Sequence, residues 1–356
     1  MSGRKHMSDI ERQIGVLKRI LNASEEEIHN RKYMLDAIKE YGVTPLAWLR
    51  ELDDTAYYTE NGMIQVPGEF ASLCLLLADI QVESAIEIGV YRGRSSYFMC
   101  AMLYRNNPNL RYDMVDICDS LDGYEEFRRI LPCLNKCIPS TSDDFEKKSY
   151  DFVFIDADHG YEGAMKDYLN LGRYAKRIVC FHDIFAHEYD SCNGGIVKCW
   201  EEVGVLTPNR SKMVFSQFPN RWMGIGVVIN EDESGTVSTG GDYEKVQENV
   251  KIFLDNIDGK NNIYVYGARN DSRRMYDALA KKGVQIKGLI VCDESENPEQ
   301  VRDYNVVLIR DVADTEDVTI VMCYRESLRD EALSRLKNYC NINVIITDDK
   351  TASFIR

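Results

Sequence analysis

Residues 150–184 read YDFVFIDADHGYEGAMKDYLNLGRYAKRIVCFHDI, and this stretch decides the fold. Phe152-Val-Phe-Ile155 and Ile178-Val-Cys-Phe181 are short apolar runs without polar alternation, the pattern of parallel strands buried on both faces. A helical crossover fits between them. Each run ends in groups that bind metals or move protons: Asp156, Asp158 and His159 after the first, His182 and Asp183 after the second. Ligands of open α/β sheets bind beyond the carboxyl ends of the strands, so both clusters are expected to face one crevice. The chain has five histidines, and His159, His182 and His187 all fall within or just beyond this stretch, which marks it as an active site. His187 reads as a loop residue. Tyr161 and Glu162 read as the start of the crossover helix, Tyr161 also as a substrate contact.

On the N-terminal side, Ser84-Ala-Ile-Glu-Ile-Gly-Val-Tyr-Arg-Gly-Arg-Ser-Ser96 is a strand that turns through glycines into a helix. Gly89 and Gly93 permit a tight turn and a close backbone approach, and Ser95 and Ser96 suit a helix start. The next unit ends in Tyr112-Asp-Met-Val-Asp116, which places Asp116 where an acid accepts hydrogen bonds from a ribose diol. Ser142-Asp143 precedes the central stretch. A helix is expected from about Pro67 to Ile80, and residues 8–41 read as two helices with polar faces. Those helices read as a cap, a contact of a homo-oligomer or a lid over a pocket.

On the C-terminal side, the helix Gly194–Val203 and the strands Lys212–Phe215 and Met223–Ile229 close the first domain. Residues 231–241 (EDESGTVSTGG) have no apolar periodicity and read as a linker. From Asn262 a strand–helix pattern restarts, giving a second, smaller α/β domain of Rossmann type over 242–356. Its turn, Gly267-Ala-Arg-Asn-Asp-Ser-Arg273, keeps only the first glycine of a dinucleotide fingerprint, with Asp293 at the ribose position. A structural, dimerising or substrate-presenting role is expected of it.

The order of these elements resembles class I S-adenosylmethionine-dependent methyltransferases over roughly residues 58–230, with residues 1–57 as an N-terminal helical cap. The sequence IDADHGYEG…FHD is similar to the small-molecule O-methyltransferase branch that acts on sugars and macrolides. The resemblance implies that Glu87, Gly89, Gly93, Asp116 and Asp143 bind the cofactor. It also implies that Asp156 and the pair His182–Asp183 hold a divalent cation, Mg²⁺ or Mn²⁺, with His159 as general base. The adjacent pair of that branch is usually two acids or an acid and an amide, so His182 makes the site less hard. Asp156 as a helix cap, His159 as a structural hydrogen-bonder and His182 as a pocket-lining residue are the competing readings.

Formal net charge is −15 and no basic block stands out, which argues against an extended nucleic-acid face. No apolar stretch approaches the roughly 20 residues of a membrane span. Eleven cysteines without a paired CxxC pattern, in a chain that opens on no secretory signal, read as reduced thiols of a cytoplasmic protein. The expectation is a methyltransferase acting on a small-molecule hydroxyl, plausible settings including polysaccharide biosynthesis. Its rivals are a metal-dependent hydroxylase or hydrolase and a non-catalytic nucleotide-sugar-binding protein.

Overall fold

The computed structural model describes residues 8–46, 55–145, 148–207, 210–216, 223–230, 240–293, 303–312, 315, 317–323, 332–336, 339 and 342–355. The chain divides into two compact units, Met1–Val237 and Ser238–Arg356. Of the expected linker, residues 231–239 lie outside the described residues, and Gly240 and Gly241 already belong to a helix.

The first unit opens with helices α1 (Asp9–Asn22), α2 (Glu25–Ile28) and α3 (Arg31–Tyr41). Ser8 and Ser24 start the first two by reciprocal capping boxes with Glu11 and Glu27, which satisfy backbone N–H groups that a helix start leaves unpaired. Two helices were expected here and three form, because the Asn30 side chain accepts from the Tyr33 N–H and begins a new helix after Ile28. Val16, Leu17 and Ile20 of α1 and Met34, Ile38 and Tyr41 of α3 share one apolar core with the sheet beneath them.

The elements that follow are α4 (Pro67–Ala78), β1 (Ser84–Ile88), α5 (Arg94–Asn106), β2 (Arg111–Val115), α6 (Tyr124–Arg128) and β3 (Leu134–Cys137). Then come β4 (Phe152–Ile155), α7 (Tyr161–Asn170), β5 (Ile178–His182), α8 (Gly195–Leu206), β6 (Ser211–Phe215) and β7 (Ile225–Ile229). They form a seven-stranded sheet in the order β3-β2-β1-β4-β5-β7-β6. Strands β1 to β5 are parallel, and β7 runs antiparallel between β5 and β6. The sequence signal missed β3, whose exposed Asn135 and Lys136 dilute its apolar character at the sheet edge.

Strand order reverses between β1 and β4, so the crossovers diverge there and leave a crevice at the carboxyl ends. Register fixes what meets in it. Ile88 lies opposite both Val115 and Ile155, and Ile155 lies opposite Phe181. The next residue of each strand therefore brings Gly89, Asp116, Asp156 and His182 to one edge.

The second unit contains α9 (Gly240–Ile257), β8 (Asn262–Tyr266), α10 (Asn270–Lys281), β9 (Ile286–Val291), β10 (Val306–Leu308), α11 (Ile309–Val312), β11 (Val318–Met322), β12 (Ile342–Ile346) and α12 (Asp349–Ile355). Its five strands are all parallel, in the order β10-β9-β8-β11-β12. This is the doubly wound arrangement expected of it.

Candidate functional site

The turn after β1 is built on two glycines with left-handed backbone. Gly89 has φ +90°, and its N–H reaches the Val115 carbonyl at 2.8 Å. A Cβ there would stand 2.1 Å from the Asp156 carbonyl oxygen, so only glycine lets β1 and β4 approach this closely. Gly93 (φ +79°) donates its N–H to the Val90 carbonyl at 2.7 Å and opens α5. Between them Tyr91 takes φ +46°, a costly conformation for a bulky side chain, which aims its N–H at Asp116 Oδ2 (2.9 Å). Asp116 Oδ1 accepts from the Cys118 N–H at 3.0 Å. The carboxylate is thus fixed by two backbone donors and keeps lone pairs for a ligand.

A cavity of about 690 Å³ begins at this turn and contains Asp116, Ile117, Ser140, Thr141 and Ser142 on one side. Asp156, His159, His182 and Asp183 line the same cavity. Gln65, Ile117 and Asp167 also line it and were not singled out in the sequence. Ile117 stands 70% exposed beside Asp116, the kind of apolar surface a flat ring covers. Its signal was its place directly after Asp116.

Three expected cofactor residues do not line the cavity. Gly93 acts through the turn. Glu87 is fully buried beneath it, where its carboxylate accepts from the hydroxyls of Tyr112 (2.7 Å) and Ser95 (3.1 Å) and so braces the start of α5. Asp143 turns away to pair with Lys166 and to accept from Asn170 Nδ2 at 2.9 Å. Tyr161, read as a substrate contact, gives its hydroxyl to the buried Glu202 at 2.6 Å. His187 is exposed beside Asp190 and opens a short 3-10 helix, His187–Tyr189, where a loop was expected.

Burial pushes the Glu87 carboxyl up from 4.5 to about 7. The protonated form is the one folding favours, so this group's stabilisation is complete below pH 4.5 and is lost as pH rises through 7. The difference amounts to about 3 kcal/mol. Glu87→Gln is expected to flatten the decline in urea stability across that window, with Asp167, raised to about 6 by burial, and above about pH 6 the raised imidazoles of His159 and His182 left as contributors of the same sign. An unchanged slope in the variant would show that Glu87 is ionised at no such cost.

At the far end, His159 Nε2 lies 2.7 Å from Asp183 Oδ2 and 3.7 Å from Asp156 Oδ1. His182 Nδ1 lies 3.1 Å from Asp156 Oδ1 and 3.4 Å from Asp183 Oδ2. The His159 ring stacks on Tyr189 at 4.8 Å, and its side chain is 23% exposed against 3% for His182. Asp183 has φ +60°, a region that aspartate enters more readily than most residues. Gln65, 3% exposed ahead of α4, donates Nε2 to Asp156 Oδ2 at 3.3 Å. Nothing in its own neighbourhood of sequence marked it.

Burial opposes charge on both histidines, yet Asp156 and Asp183 raise His159 to about 10 and His182 well above its ordinary value. Burial likewise opposes charge on the acids, and the two histidines, His182 first, hold Asp156 and Asp183 below the usual carboxylate range. The cluster by itself is therefore two imidazoliums set against two carboxylates.

A divalent cation fits this cluster. Among the described residues, one ligand atom from each of Asp156, His159 and Asp183 lies within 4.8 Å of the others, and opposite ligands of such ions stand about 4 to 5 Å apart. Gln65 Oε1 and His182 Nε2 are buried without a hydrogen-bond partner, as expected of a site that a ligand completes. The converging trio includes His159 and not His182, so the histidine expected as base stands among the candidate ligands. His182 lies behind it.

Residues 86–184 match a family described as a methyltransferase domain. No curated protein matches the chain in sequence. Among solved structures, a cofactor-bound protein from MTB is 15% identical, covering 63% of this chain and 98% of its own, with a TM-score of 0.37. A Podospora anserina methyltransferase with SAH bound is 16% identical (56% and 88% covered, TM-score 0.36), and an O-methyltransferase from Bacillus cereus in complex with SAH is 14% identical (62% and 100%, 0.36). At these scores the likeness carries no argument about function.

Proposed function

We propose that the chain, whose residues 86–184 match a methyltransferase-domain family, transfers a methyl group from S-adenosylmethionine to a hydroxyl of a small molecule, with a divalent cation at the acidic cluster. The observation that carries this reading is the single cavity lined at one end by the glycine turn and Asp116, and at the other by Asp156, His159 and Asp183. A hydrolase or hydroxylase would have no use for the first end, and a binding protein no use for the second.

In this reading Asp116 holds the ribose diol and the backbone of the turn holds the amino-acid end of the cofactor. Asp156 and Asp183 would hold the cation with His182 completing the set, which leaves His159 as the base, and Gln65 keeps the Asp156 carboxylate from rotating. Bound there, Mg²⁺ or Mn²⁺ would lower the pKa of a hydroxyl chelated through two adjacent oxygens, as sugars present them. His159, whose imidazole the two carboxylates hold protonated, would be freed to take the acceptor's proton once their charge is compensated by a cation. The rest is placement of the acceptor oxygen in line with the transferred methyl group, close to the Gly89–Asp156 junction. The second unit is assigned a structural, dimerising or substrate-presenting role, and a homo-oligomer of a cytoplasmic protein fits it. Among the described residues no helix is long and apolar enough to cross a membrane.

The reading is tested by methyl transfer from S-adenosylmethionine to sugars and glycosylated compounds with adjacent hydroxyls, before and after chelation. Loss of transfer in chelator, restored by Mg²⁺ or Mn²⁺, is expected. Full transfer in chelator would remove the cation from the account and leave the histidines to act alone.

A further inference from the structure

Cys100 and Cys133 do not line the cavity, and their sulfur atoms stand 3.3 Å apart. Both are free thiols. A disulfide holds its sulfurs about 2.05 Å apart, so a bond between these two needs an approach of only about 1.3 Å.

Neither thiol sits on a loose loop. Cys100 is in the middle of α5, which opens at Gly93 and carries Ser95 against Glu87. Cys133 directly precedes β3, and its carbonyl accepts the Tyr112 N–H at 3.0 Å, which ties it to β2. Two rigid elements therefore hold the sulfurs in contact across 33 positions of sequence. Their exposure differs. Cys100 is fully buried, whereas Cys133 is partly open to solvent and within reach of a small oxidant. An accessible thiol with a second thiol against its sulfur is the arrangement in which the first is oxidised and the second resolves it.

We infer that Cys100 and Cys133 form a redox site, closed to a disulfide by a peroxide and reopened by thiol reductants. In the first step the Cys133 thiolate attacks one peroxide oxygen. An S–O bond forms, the O–O bond breaks, and the hydroxide released takes a proton to leave as water. The Cys100 sulfur then attacks the sulfur of the Cys133 sulfenic acid. The S–S bond forms, the S–O bond breaks, and the hydroxyl leaves with the Cys100 proton as a second water. Two thiols lose two electrons and the peroxide gains them. The bond fastens α5, the helix that the glycine turn opens, to β3 at the edge of the sheet. In a reducing compartment such a bond is transient, which suits a sensor of oxidant. None of this depends on the methyltransferase reading.

The test treats the full chain with hydrogen peroxide, destroys the excess, alkylates the remaining thiols under denaturing conditions and reads the peptides by mass spectrometry. A Cys100–Cys133 cross-link that dithiothreitol cleaves is expected. The exposed Cys118 and Cys192 report that oxidant reached the chain. The oxidised chain should also melt about 5 °C or more above the reduced one, because the cross-link restricts the unfolded state of the first unit. Cys133→Ser should lose both the cross-link and the gain in melting temperature, with Cys100 left unoxidised. Oxidation of Cys118 and Cys192 without a Cys100–Cys133 cross-link would overturn the inference. So would a cross-link from Cys133 to a different cysteine, or an equal gain in melting temperature in Cys133→Ser.

Discussion

His159→Ala is expected to slow methyl transfer about 10²–10⁴-fold, the range typical of a lost general base. Asp156→Asn and Asp183→Asn are expected to slow it as steeply, because each removes a carboxylate that touches both histidines. In all three variants the affinity for S-adenosylhomocysteine should stay within about threefold of the unaltered chain. The motive is placement. These side chains follow β4 and β5, whereas Asp116 and the glycine turn follow β2 and β1. Initial rates and calorimetric titration of the same preparations check the two halves of the expectation. Full rates in His159→Ala and in both aspartate variants would make the cluster structural.

Asp116→Ala should do the reverse, weakening S-adenosylhomocysteine by about a hundredfold or more. Hydrogen bonds to a charged acceptor are worth about 1.5–3 kcal/mol each, and two ribose hydroxyls lose theirs together. The variant also releases the N–H groups of Tyr91 and Cys118, which loosens the turn that meets the amino-acid end. Asp116→Asn keeps an acceptor and should fall between the two. Wild-type affinity in Asp116→Ala would show that the ribose lies elsewhere.

The fold was legible because its signals are local and strong. Phe152–Ile155 and Ile178–Phe181 are apolar throughout, as strands buried on both faces must be, and both form parallel strands. Gly89 was legible because close approach of two strands admits nothing else. Asp116, Asp156, His159, His182 and Asp183 were legible because strand ends point into the crevice. What sequence pattern missed depends on side-chain direction and on contacts distant in the chain. Glu87 sits one residue before Ile88 and so points under the turn, not into the cavity, since successive residues of a strand alternate faces. Gln65 reaches Asp156 across 91 positions, and no local pattern announces such a contact. Asp143 lies outside the cavity because Lys166 and Asn170, which claim it, stand on a helix whose facing could not be read from spacing alone.

Calorimetric titration of the unaltered chain with S-adenosylhomocysteine tests the central claim most directly. One site per chain in the first unit is predicted, lost in Asp116→Ala and kept in Asp183→Asn. Absence of binding to the unaltered chain, or binding that Asp183→Asn abolishes and Asp116→Ala leaves intact, would contradict the account.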